Sequence, residues 1–122
     1  MELNLRGIRG AINCFENSVE SISEATKELI TALMIKNGIV TTDIVSVLFT
    51  TTPDLNAAFP AKFARAIGFE NVPMMCASEI DVKGAMPMVI RVLLHVQTTL
   101  KLNQIHHVYL RDTSSLRDDS KT

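Results

Sequence analysis

Ile90-Arg91-Val92-Leu93-Leu94-His95-Val96-Gln97 alternates with a period of two, placing Ile90, Val92, Leu94 and Val96 on one side of an extended chain and Arg91, Leu93, His95 and Gln97 on the other. Four aliphatic side chains on one face need a packed layer against them. The segment therefore predicts a central-looking strand with an arginine projecting from its far face. The matching layer stands earlier in the chain, where Ile22, Ala25, Leu29 and Leu33 fall on one helical stripe and Glu20, Glu24, Lys27, Glu28 and Lys36 populate the other faces. Asn17 with Glu20 three residues on reads as a capping box, and Asn37-Gly38 suits a left-handed helix end.

Four further strands flank this pair. Leu3 to Ala11 alternates at Leu3 and Leu5, with glycines at 7 and 10 that permit close backbone approach or a bulge. Ile44 to Thr52 is β-branched and aromatic, with Val45, Val47 and Phe49 on one face and Leu48 on the other. Pro53-Asp54 breaks it, and Pro60 opens a short helix over Ala61 to Ile67 that Gly68 closes. Met74 to Ala77 and His107 to Arg111 complete the set, separated from their neighbours by a loop carrying Gly84 and Pro87 and by polar turns. From about Asp112 the composition turns to Ser, Asp, Lys and Thr, which reads as a mobile tail. The result is an α+β (mixed α/β) chain with a roughly five-stranded mixed sheet, one long helix and one short one, forming a single domain over residues 1–122. Two helices cannot cover both faces of such a sheet, so the second apolar face predicts oligomerisation.

Composition narrows the function. At 122 residues, 47% apolar and 20% charged, the chain suits one compact fold and not a disordered or fibrous one. No apolar run exceeds four residues, against about 20 needed to span a bilayer, and no basic-then-apolar leader opens the chain. A net charge of −1 supplies no global field for nucleic acid or an anionic membrane. Cys14 and Cys76 lack CxxC spacing and the three histidines form no ligand pattern, so a cytoplasmic, reduced protein without metal or cofactor is expected.

Of the six arginines, three stand where a solvated charge is not the obvious reading: Arg9 beside two glycines, Arg65 on the short helix and Arg91 in the apolar strand. A lone strand arginine is ordinarily an edge charge or an ion-pair partner. Guanidinium groups converging on one cavity would instead bind carboxylates bidentately, the chemistry of a polyanionic small molecule. Glu79 is a surface carboxylate or a partner for one of these arginines. Cys76 reads as a small buried hydrophobe and not a nucleophile. Tyr109, the only tyrosine, suits the core with its hydroxyl at the rim, and His95, His106 and His107 carry no catalytic pattern. Phosphate-loop spacings are absent.

Five blocks taken together carry a family resemblance: RGIRGA (6–11), TTPDLNAAFPAKFAR (51–65), VPMMCASEIDVKGAMP (72–87), IRVLLHVQT (90–98) and HHVYL (106–110). In this order, over well more than half the chain, they resemble the AroH-type chorismate mutases. The resemblance implies a homotrimeric pseudo-α/β barrel with sites in the clefts between subunits, rearranging chorismate to prephenate in phenylalanine and tyrosine biosynthesis without a cofactor. It also implies roles. Arg9 and Tyr109 would hold a carboxylate, Arg91 would reach the ether oxygen and the other carboxylate, and Glu79 and Cys76 would engage the ring hydroxyl. Phe59 and Leu116 would supply apolar walls, with Lys62 nearby and Arg65 and Arg117 over the cleft mouth. The alternatives are a trimeric imine deaminase-like enzyme, which lacks the TPDL…FPAK and CASEID blocks, and a non-catalytic binder of aromatic-pathway anions.

Overall fold

A computed structural model describes residues 2–117. Five strands form one sheet: β1 (Asn4–Asn13), β2 (Ile44–Thr51), β3 (Met74–Ser78), β4 (Val89–Thr98) and β5 (Val108–Tyr109), in the order β3-β2-β4-β1-β5. β4 is central and antiparallel to both β1 and β2, while β2 with β3 and β1 with β5 run parallel, so the sheet is mixed. The expected α+β architecture is observed.

Helix α1 (Val19–Asn37) lays Ile22, Leu29, Ile30 and Leu33 on the sheet face made by Ile8, Ile12, Val92, Leu94 and Val96, all of them buried. The approach is close because Gly10 has no side chain. A Cβ there would stand 3.0 Å from Leu29 Cδ1 and from Leu33 Cδ1, and 3.1 Å from the Val108 carbonyl oxygen. The helix ends at Gly38, whose φ of 61° is left-handed, with Ile39 N–H donating to the Met34 carbonyl. Its N-cap is Ser18 and not Asn17: Ser18 Oγ accepts from Ser21 N–H at 3.1 Å. Asn17, freed from capping, instead accepts from the backbone N–H groups of Asn56 and Ala57 and donates to Asn56 Oδ1.

Three other boundaries differ from the expectation, each for a local reason. A bulge between Ile44 and Ser46 turns Val45 out to 46% exposure, so it does not share a face with Val47 and Phe49. The short helix α2 (Pro60–Ala64) stops earlier and continues as a wide turn over Arg65–Phe69, where Gly68 takes a φ of 114°. β5 is only two residues long, because Arg111 at φ 56° turns the backbone out of the extended conformation. Beyond it, Arg111–Arg117 form a 3-10 turn in which Thr113 is fully buried, so this part of the polar tail is packed. The tail residues from Asp118 onward lie outside the described residues.

Both helices lie on the Ile90–Val96 side. The opposite face carries Leu48 and Leu93 paired across β2 and β4, Met75 and Leu5 toward the edges, and a Ser46–His95 side-chain contact of 3.0 Å.

Candidate active site

Arg91 projects from the helix-free face of the central strand, as the alternation requires, and its cross-strand neighbours are Ala11 on β1 and Thr50 on β2. Ala11 is paired in turn with Tyr109 on β5. One row of the sheet thus runs Tyr109, Ala11, Arg91, Thr50, and Arg9 lies one repeat along β1 on the same face. Arg9, Tyr109, Arg91, Thr50, Leu48 and Leu93 line a cavity of about 280 Å³. Arg9 is further fixed through its backbone, whose N–H donates to His107 Nδ1 at 3.0 Å.

Arg91 and Thr50 also line an adjoining cavity of about 620 Å³ with Glu79, Lys83, Met86 and Leu116. Glu79 follows β3 directly, and its N–H donates to the Thr51 carbonyl at 2.9 Å, continuing the strand pairing and fixing where the side chain starts. Its Oε1 lies 2.9 Å from Arg91 Nε, with the two side chains only 21% and 31% exposed. The contact is an ion pair without a directed hydrogen bond: buried Arg91 Nε, Glu79 Oε2 and Thr50 Oγ1 find no hydrogen-bond partner among the described residues. Buried polar atoms are nearly always paired, because an unmade bond costs the desolvation of the group. Three such atoms around one cavity offer a polar ligand groups to bond.

The other expected residues lie elsewhere. Cys76 is paired with Phe49 and so belongs to the helix-side face, where it shares a cavity of about 510 Å³ with Phe59, Lys62, Val19, Leu55 and Ser78. Phe59 is 71% exposed there, and Lys62 Nζ stands 6.0 Å from the centroid of the Phe63 ring. Arg65, exposed at the start of the turn after α2, lines none of these three cavities. The side chain of Arg117 lies outside the described residues, although its backbone ends the turn that carries Leu116. The sequence-derived set therefore divides into two groups on opposite faces of one sheet, and only Ser78 borders both of the larger cavities.

Thr50 escaped the sequence reading. Its place beside Arg91 depends on the β2–β4 register, which the bulge at Ile44/Ser46 sets and local alternation does not reveal. Cys14 is buried, and burial pushes its thiol above the ordinary pKa, the opposite of an activated nucleophile.

A family model described as chorismate mutase type I matches residues 5–120. The chain belongs to the type I chorismate mutase family. Curated relatives agree over nearly the whole length: it is 45% identical to the chorismate mutase AroH of Thermus thermophilus over 116 residues, 94% of this chain and 95% of the relative. It is 41% identical to the chorismate mutase AroH of Bacillus subtilis (strain 168), across 94% and 91% respectively. A chorismate mutase structure from Clostridium thermocellum superposes with a TM-score of 0.89 at 41% identity, covering 91% of this chain and 99% of that one. Among the described residues, no group of three or more His, Cys, Asp or Glu side chains is placed to hold a metal ion, and no helix is long and apolar enough to cross a membrane.

Proposed function

We propose that this protein catalyses the intramolecular rearrangement of chorismate to prephenate, supplying phenylalanine and tyrosine biosynthesis in the cytoplasm. The observation that carries the reading is the Arg91–Glu79 pair, half-buried at 2.9 Å and short of hydrogen bonds on both sides. In the rearrangement one C–O bond breaks while a C–C bond forms within the same molecule. No proton has to move and no covalent intermediate is needed. What the reaction requires is a compact conformer and a positive charge where the ether oxygen becomes negative.

Arg91 supplies that charge and reaches one carboxylate, while Glu79 restrains the guanidinium and engages the ring hydroxyl. Arg9 and Tyr109, on the same sheet face, hold the other carboxylate. Phe59, Lys62 and Cys76 lie on the opposite face and do not reach this cavity within one chain. They join it from an adjacent subunit of a homotrimer, with Cys76 at the ring hydroxyl, Phe59 as an apolar wall and Arg65 at the mouth, while Leu116 and Arg117 cover the cleft. The helix-free face carrying Leu5, Leu48, Met75 and Leu93 is the surface that such an assembly buries.

The test is the loss of chorismate absorbance with prephenate identified as the product, using purified protein without added metal, nucleotide or flavin. The expected result is a rate far above the uncatalysed one. A rate equal to background overturns the proposal.

A further inference from the structure

The C-terminal turn brings Leu116 into the cavity of Arg91 and Glu79, and a set of contacts outside that cavity decides where the turn sits. Asn13, the last residue of β1, is buried and gives both polar atoms of its side chain and its carbonyl to this purpose. Its Nδ2 donates to Asp112 Oδ2 at 3.1 Å, its Oδ1 accepts from Asp112 N–H at 2.8 Å, and its carbonyl accepts from Arg111 Nη1 at 2.8 Å. Arg111 reaches further. Nη2 meets Glu28 Oε1 of α1 at 3.0 Å, and the guanidinium lies 4.9 Å from the centroid of the Phe15 ring. Its backbone is left-handed at φ 56°, a conformation that a non-glycine residue keeps only when its surroundings enforce it. Downstream, Thr113 Oγ1 donates within reach of the Ala11 and Leu110 carbonyls, at 3.0 and 2.7 Å.

None of these side chains lines either cavity on the Arg91 face. They tie the turn to the end of the strand that carries Arg9 and to the long helix. We infer that Asn13, Arg111 and Asp112 form a clip that positions the C-terminal turn, and with it Leu116, against the Arg91–Glu79 cavity. All three are positioning residues acting through the turn. The inference rests on the proposed function for its kinetic consequence, while the clip itself is a structural claim that can be read without substrate.

Asp112 is exposed, so removing its side chain leaves the core intact. Asp112→Ala in the full chain should speed amide exchange over Thr113 to Leu116 and raise KM about five- to tenfold with kcat held within about twofold, since capture and not charge stabilisation is disturbed. Asp112→Asn keeps an acceptor for Asn13 Nδ2 and should restore both readouts. The melting temperature, followed in parallel, should differ little between the two variants. Unchanged exchange in Asp112→Ala overturns the clip, as does a KM that stays at the parental value or rises equally in Asp112→Asn. If the parent protein does not consume chorismate, the proposed function fails by itself, and the exchange comparison still decides for or against the clip.

Discussion

In the proposed mechanism Arg91 acts as a cation held in one orientation. The strand fixes its Cα between Ala11 and Thr50, and Glu79 restrains its guanidinium at 2.9 Å. Removing one preorganised donor of this kind costs about 10²–10³-fold in rate, and Arg91→Ala should lose at least that much in kcat. Citrulline at position 91 keeps the shape without the charge, so it should retain much of the substrate affinity and still be slow. Near-normal kcat in that variant would assign catalysis to conformer selection. Cys14 carries a prediction of a different kind. Its folded thiol pKa is raised by burial, so the unfolded chain gives up the proton first as pH climbs past the ordinary thiol value, and stability falls above that point. Melting temperatures measured at neutral and alkaline pH should converge in Cys14→Ala relative to the parent, and an identical alkaline loss in both proteins would contradict the assignment. At this scale the sequence singled out Arg91 by its apolar strand, and offered Glu79 as an arginine partner, the contact that the structure contains. It hid Thr50, Asn13 and Asp112, whose roles arise from pairing with residues distant in the chain.

The elements were legible wherever their signals were local. The stripe of α1, its left-handed end at Gly38 and the alternation of β4 all survive in the structure, because periodicity and end chemistry act within a few residues. The helix start shifted by one because Asn17 and Ser18 are both competent caps, and the competing bonds to Asn56 and Ala57 decide between them. The short β5 and the packed 3-10 turn were illegible, since polar composition says nothing of the partners waiting at Asn13, Glu28 and Ala11. The α1–β1 contact allows a direct test. A methyl group at position 10 meets Leu29, Leu33 and the Val108 carbonyl at 3.0–3.1 Å, one of them backbone, so Gly10→Ala should destabilise by about 1–3 kcal/mol in urea unfolding. Unchanged stability would mean that the helix lies farther from the sheet than described.

Across the whole molecule, the proposed half-site with Arg9, Glu79, Arg91 and Tyr109 and the proposed half-site with Phe59, Lys62 and Cys76 occupy opposite faces of one sheet. Within the described chain they line separate cavities. The surplus apolar face, readable from two helices against five strands, and this division, readable only from the register, both point to sites shared between subunits. In the proposed arrangement Arg91→Ala and the double variant Phe59→Ala with Cys76→Ala each remove assigned contacts from a different half, so the two test the arrangement when combined. Co-expressed with distinct tags and purified as mixed trimers, they should regain chorismate mutase activity, because in a ring of two subunits of one kind and one of the other about a third of the interfaces join two intact halves. Mixed trimers no more active than the mean of the two parent variants would contradict the shared site.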